Sequence, residues 1–206
     1  MPPSIKITKD EINELPLVAH NGRVSLVDSN ELLHQVLPDL EAEEVLGFDT
    51  ESRPSFKKGQ NFPVSLIQLS GKNCVWLFQI HKFDDHERLW KLLANPDIIK
   101  AGVAIQDDIK KLQELHDFEP EGFVEIATLT QQAGILNTGL RSLAGLLLNA
   151  RISKRAQVSN WARPTLTNAQ IQYACTDAWM SRRIYMHMLD LRARANGNNP
   201  QLAASQ

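Results

Sequence analysis

Tyr173 and Asp177 stand four residues apart in the run Gln172-Tyr173-Ala174-Cys175-Thr176-Asp177-Ala178, a spacing that puts both side chains on one face of an α-helix. Continued by threes and fours, that face carries Met180, Ile184, Met188 and Leu191, so it is the side that packs inward. A carboxylate there has to be hydrogen-bonded, paired or bound to a cation. One such Asp is as readily held by a helix cap or an arginine; chemistry requires further carboxylates aimed at the same place. Asp49-Thr50-Glu51 supplies two, since it ends the apolar run Val45-Leu46-Gly47-Phe48 and residues i and i+2 of a strand share a face. The pattern Asp-x-Glu recurs at 39/41, 85/87 and 117/119, but only the 49/51 pair extends a strand that reads as buried. Asp107-Asp108 opens a helix. There Asp108 aligns with Ile105, Leu112 and Leu115 on the apolar stripe, whereas Asp107 falls with Lys110, Lys111 and Glu114 on the wet face. Asp108 is thus the inward member of that pair.

Asp49, Glu51, Asp108 and Asp177 cannot all ionise in one pocket without compensation, because like charges raise one another's pKa values. Hard divalent cations supply the compensation, and an all-oxygen ligand set suits Mg²⁺ or Mn²⁺ rather than zinc. Two such ions about 3.5–4 Å apart can clamp the attacking and leaving oxygens of a phosphodiester. The histidines at 20, 34, 81, 86, 116 and 187 show no ligand spacing. Cys74 and Cys175 form no C-x-x-C pair, so neither a zinc site nor a disulfide framework is expected.

The elements that must carry these acids can be read from periodicity and turn residues. Arg23–Val27 reads as a strand and Asn30–Leu37 as a helix. Strand-length runs follow at Val45–Asp49, Val64–Leu69 and Cys74–Phe78, the last two joined by the hairpin turn Gly71-Lys72-Asn73. Helix His86–Ala94 stops at Asn95-Pro96, and the apolar run Ile98–Val103 leads into a helix over Ile105–Leu115. From Ile126 onward the chain is mostly helical, and its last helix runs from an N-cap at Thr167 to Ala195. A meander followed by alternating strands and helices implies an α/β architecture, a mixed five- to six-stranded sheet flanked by helices. The expected organisation is a loosely attached leader over 1–19, one domain over 20–195 and a polar tail over 196–206.

With 206 residues, 43% apolar and 22% charged, and a net charge of −2, the chain has the composition of a globular protein. It is not a generally basic nucleic-acid coat, although a local basic strip remains compatible with that charge. The N-terminal Met1-Pro2-Pro3-Ser4-Ile5-Lys6 lacks the apolar core of a signal peptide, and no run reaches membrane-spanning length. A cytoplasmic protein with no membrane partner is expected.

Three motifs in order now carry a resemblance. Leu46-Gly47-Phe48-Asp49-Thr50-Glu51 is followed by Val64-Ser65-Leu66-Ile67-Gln68-Leu69. Next comes Ala101-Gly102-Val103-Ala104-Ile105-Gln106-Asp107-Asp108-Ile109-Lys110-Lys111-Leu112. Last is Ser159-Asn160-Trp161, then Leu166-Thr167 through Gln170-Ile171-Gln172-Tyr173-Ala174-Cys175-Thr176-Asp177-Ala178. From about His20 to Leu191 the chain resembles the DEDD superfamily of 3′–5′ exonucleases, in the tyrosine-bearing branch with ribonuclease D and the exonuclease domain of the Werner-syndrome helicase. The resemblance implies a ribonuclease H-like fold and hydrolysis of nucleotides from a free 3′ end. It further implies that Asp49, Glu51 and Asp177 hold the metal carrying the nucleophilic water, that Asp49 bridges to a second metal supported by Asp108, and that Tyr173 orients the water.

Other residues read as substrate contacts or as packing. Arg151, Lys154, Arg155 and Arg163 put cations near Trp161, a combination that can hold phosphates and stack a base, though Trp161 reads better as an anchor for its loop. In relatives the segment after the first motif lines the path of the terminal nucleotide; here it contains Arg53, Phe56, Lys57, Lys58 and Phe62, with Phe56 a candidate for the terminal base. Leu140–Leu148 reads as core helix, from which Arg141 could reach a phosphate. A catalytically silent nucleic-acid-binding or scaffold module on the same fold is the alternative, and the full set of four acids with Tyr173 argues against it. No residue separates DNA from RNA, and a helicase or other factor could confer specificity in trans.

Overall fold

The apolar runs pair edge to edge in the computed structural model, which describes residues 5–57, 59–195 and 197. Lys58 and all of the expected tail except Gly197 lie outside the described residues. Six strands form one sheet in the order β1-β4-β3-β2-β5-β6: β1 (Arg23–Val27), β2 (Val45–Ser52), β3 (Val64–Ser70), β4 (Cys74–Gln79), β5 (Ile99–Gly102) and β6 (Phe123–Glu125). Strands β2, β3 and β4 are the antiparallel meander, turning at Gly71-Lys72-Asn73. Strands β1, β5 and β6 join parallel to β4, β2 and β5 respectively. The mixed sheet flanked by helices is the ribonuclease H-like α/β fold that the sequence implied. Strand β6 is the element the sequence did not disclose: three half-buried residues are too few to show a period of two.

Every residue of β3 and β4 is buried, because helices cover both faces of the sheet. Phe48, Ile67, Leu69, Trp76 and Phe78 pack with α2 (Asn30–Glu41), α3 (Glu87–Ala94) and α4 (Gln106–Leu115). On the other face Leu66, Val75 and Leu77 pack against α7 (Asn168–Ala195), whose neighbours are α5 (Ile126–Gln132) and α6 (Leu140–Leu148). Helix α7 crosses β2 at Gly47, where any Cβ would overlap the Ala178 carbonyl and crowd Arg182. Arg182 fastens the crossing by donating from Nε to the Val45 carbonyl at 3.0 Å. The N-terminus of α7 is capped as its sequence requires: Thr167 Oγ1 accepts from the Gln170 N–H at 3.2 Å, and Gln170 Oε1 accepts from the Thr167 N–H at 3.0 Å.

Of the leader expected to be loosely attached, the described residues 5–19 are tied to the domain. Thr8 and Glu11 form a capping box on α1 (Lys9–Glu14), and Ile12 is buried. Ile5 bridges to Ile135, and Leu17 to Arg151. The segment looked detached because its apolar residues are few and scattered; Ile7, Ile12 and Leu15 meet at Gly145 of α6, a contact between distant parts of the chain. Among the described residues no helix is long and apolar enough to cross a membrane.

Candidate active site

Period-two alternation on β2 sorts its polar end. Asp49 and Glu51 share the face of Gly47, toward α7, while Thr50 shares the face of Phe48, toward α4. The close crossing at Gly47 then brings Asp177 of α7 to the first pair: carboxylate oxygens of Asp49, Glu51 and Asp177 lie within 4.8 Å of one another. None of the three is ion-paired among the described residues. Asp49 Oδ1 accepts the N–H of the next residue, Thr50, at 2.9 Å, and the buried Asp177 Oδ1 has no hydrogen-bond partner.

Asp108 arrives from the opposite face. Its Oδ1 accepts from Thr50 Oγ1 at 2.5 Å, so it stands behind the strand end rather than in the trio. The helical-face reading separated the two aspartates as the structure does: Asp107 is exposed and reaches Lys110 at 3.4 Å. The first turn of α4 is set by Ala104, whose φ of 62° turns the chain out of β5. Glu125 at the end of β6 accepts from the N–H groups of Ala104 and Ile105 at 3.0 and 2.9 Å. Thr50 and Glu125 escaped sequence reading; the alternation on β2 could have flagged Thr50, whereas nothing local distinguishes Glu125.

The electrostatics follow from this crowding. Burial, then the charges of Asp177, Glu51 and Asp108, holds the Asp49 carboxyl well above the carboxylate range. Burial, with Asp177 and Asp108 adding to it, pushes Glu51 up to about 9. Burial pushes Asp177 up to about 7, against the opposing pull of Tyr173 and Lys154. Asp108 is raised by burial and relieved by its Thr50 hydrogen bond. Tyr173 is shifted upward by burial first and by Asp177 second, far enough that the phenol stays protonated. Three clustered carboxylates that form no ion pair among the described residues, one orphaned buried oxygen and no soft ligand make a donor set that fits a hard divalent cation.

The trio and Tyr173 line one cavity of about 730 Å³, together with Arg141 and Lys154. The remaining expected contacts lie elsewhere. Arg155 and Arg163 line a separate groove of about 610 Å³ with Ser159 and Asn160. Phe56, 83% exposed, lines a third of about 280 Å³ with Arg53, Phe62 and Val158. Trp161 cannot stack on a base as placed here: it is fully buried, its ring 5.9 Å from that of Tyr173, and it anchors the loop in front of α7.

Fold and acid cluster together define a ribonuclease H-like domain with a candidate cation site, and known proteins narrow the class. The family profile described as "3′-5′ exonuclease" matches residues 24–191. The chain belongs to this 3′–5′ exonuclease family, hydrolases of the DEDD superfamily. It is 35% identical over 156 residues to mouse bifunctional 3′-5′ exonuclease/ATP-dependent helicase WRN, covering 72% of this chain and 11% of that protein. It is 34% identical over 149 residues to Drosophila melanogaster exonuclease 3′-5′ domain-containing protein 2, covering 70% of this chain and 25% of that one. The chain therefore spans a quarter or less of the length of these two relatives. The crystal structure of the Aedes aegypti Nibbler EXO domain superposes with a TM-score of 0.78 at 24% identity, over 91% of this chain and 96% of that one, and shows the same fold.

Proposed function

We propose that the protein removes nucleotides one at a time from the free 3′ end of DNA or RNA by a two-metal-ion reaction, releasing nucleoside monophosphates. The observation that carries this reading is the convergence of Asp49, Glu51 and Asp177 from two distant elements, within 4.8 Å and with no ion pair among the described residues. An acid cluster used only for stability would be paired; this one makes no ion pair among the described residues and lines a cavity large enough for a nucleotide.

Asp49, Glu51 and Asp177 would hold one ion, and Asp49, backed by Asp108 through Thr50, would share a second. Bound Mg²⁺ or Mn²⁺ supplies an ionised water and neutralises the departing 3′ oxygen. Tyr173 keeps its proton, so it orients the water by hydrogen bonding and does not act as a base. Lys154 and Arg141 give the cavity positive charge for the phosphates that the acids alone would repel. Phe56, Arg155 and Arg163 would follow the strand along the grooves they line. The division into a core domain over 20–195 and flanking segments belongs to this proposal, as do a cytoplasmic setting and a helicase delivering ends in trans.

The experiment is a time course with Mg²⁺ or Mn²⁺ on 5′-labelled 3′-recessed DNA, single-stranded DNA and single-stranded RNA of one sequence. The expected result is a ladder shortening from the 3′ end and abolished by chelator. Intact strands after prolonged incubation with either metal, or shortening that survives chelation, would refute the reading.

A further inference from the structure

The cavity of the acid trio is completed by residues that precede the span matched by the family profile. The family profile begins at residue 24, yet Ile7, Lys9 and Ile12 line the cavity beside Arg141 and Lys154. This is a tied-down strap. Ile5 donates to the Gly134 carbonyl at 3.0 Å and accepts from the Leu136 N–H at 2.9 Å. Ile7 exchanges two hydrogen bonds with the Asn137 side chain, at 2.9 and 3.2 Å. At the far end Arg151 donates to Pro16 at 2.9 Å and accepts from Val18 at 2.8 Å. Between these ties the strap packs closely over Gly145: a Cβ there would sit 3.2 Å from the Cδ1 atoms of both Ile7 and Leu15, which would have to give by a few tenths of an ångström.

The strap also sets a cation. Arg141 Nη2 donates to Asn13 Oδ1 at 2.6 Å, while its buried Nε has no acceptor. Lys9, Arg141 and Lys154 share a cavity with three carboxylates, yet none of them is ion-paired among the described residues. A guanidinium held by a neutral amide keeps its full charge and part of its donor fork for a ligand. Cations gathered unpaired around a cavity, with donors unused, are suited to an anion that arrives from outside. In a cavity of this size and charge, phosphodiester oxygens are such an anion.

We propose that the segment Ile5–Leu17 is a substrate-binding wall, in which Lys9, and Arg141 oriented by Asn13, hold backbone phosphates of the strand behind its 3′-terminal linkage. The proposal rests on the nuclease reading for the identity of the strand. Lys9 makes a direct contact, and Asn13 is a positioning residue that acts through Arg141.

The test uses the full chain and a 5′-fluorescein single strand. Anisotropy is read in chelator, so that the strand stays intact, and steady-state release is read with Mg²⁺. Lys9→Ala is expected to weaken binding and raise KM about tenfold with kcat within twofold, and to flatten the log–log salt dependence by about 0.7. Lys9→Arg restores both. Asn13→Asp keeps an acceptor for Arg141 but neutralises it, so binding falls severalfold while the melting temperature holds or rises. In an Arg141→Ala background, where no guanidinium is left to neutralise, Asn13→Asp is expected to add little further loss, whereas direct repulsion by the new charge would lower binding equally in both backgrounds. Lys6→Ala removes a strap charge that does not line the cavity and binds as wild type does. Equal binding by Lys9→Ala and Asn13→Asp to that of wild type, or equal losses for Lys6→Ala and Lys9→Ala, would overturn the wall. A protein that binds through Lys9 and Asn13 yet releases nothing would sink the nuclease reading and leave the wall standing. A protein that releases nucleotides with all the variants alike would do the reverse.

Discussion

One group of three acids in this molecule is set by sequence and another is assembled by the fold, and they differ in whether their charges are paired. Asp84, Asp85 and Glu87 gather before and at the start of α3. Asn30 donates to Asp84 at 2.7 Å, His34 lies 2.6 Å from Asp85, and Lys91 lies 3.2 Å from Glu87. Its hydrogen bonds hold the Asp84 carboxyl below the usual value in open solvent. Asp49, Glu51 and Asp177 form no ion pair among the described residues, are drawn into the protein, and are all shifted upward by that burial. A sequence count of acids cannot tell these clusters apart. What makes one of them a candidate cation site is desolvation without an ion pair, which raises the free energy of the clustered carboxylates and would favour an ion that neutralises them.

The comparison can be broken by mutation, and the largest effect belongs to the cluster that the fold assembles. Asp49→Asn or Asp177→Ala should lower nucleotide release by about a thousandfold or more, as expected when groups acting as one unit lose a member. The melting temperature without metal should hold or rise, because a buried repulsion is relieved. Full activity in either purified variant would defeat the assignment. Tyr173→Phe should slow release by about ten- to a hundredfold, on the scale of lost orientation of a reactant, while Mg²⁺ still protects against heat.

Metal binding sharpens the contrast next. Mg²⁺ at about 100 times its dissociation constant should stabilise the wild type by about 2.7 kcal/mol, and should lose that effect in Asp177→Ala but not in Asp84→Asn. Differential scanning calorimetry at several metal concentrations measures both. Opposite pH signs follow. Glu51 and Asp177 titrate higher folded than unfolded, so their contribution to metal-free stability is complete at acid pH and is lost as pH rises through about 7 and then about 9. Asp84 titrates lower when folded, so its small, solvent-screened contribution is lost only as pH falls below 3.8. Melting temperatures in chelator across that range should fall toward alkaline pH, and saturating Mg²⁺ should flatten the decline. The smallest effect is Asp85→Asn, which should leave release within twofold in the same gel assay.

Local chemistry made much of this legible. Alternation on Asp49-Thr50-Glu51, the i, i+4 pair Tyr173/Asp177, and the Thr167 cap are short-range features whose geometry is fixed by strand and helix periods alone. The inward choice of Asp108 over Asp107 came from the same source, and so did every strand but the last. Strand β6, the grip of Glu125 on the Ala104 turn and the Thr50–Asp108 hydrogen bond were not legible, because each joins residues from separate elements. Trp161 marks the limit from the other side: an aromatic among cations allowed either a stacking platform or the favoured loop anchor, and only packing, which buries it fully, decided for the anchor.

The sequence by itself determined which side chains could bear charge inward and the order in which their elements follow along the chain, since those depend on repeat geometry and apolar pattern. Only the tertiary structure decided that α7 crosses β2 at Gly47, that three carboxylates meet there while the fourth stands behind Thr50, and that the N-terminal strap closes the same cavity. The physical reason is that distances between elements are set by close packing of the whole core, and a local stretch of chain carries no record of what will be pressed against it.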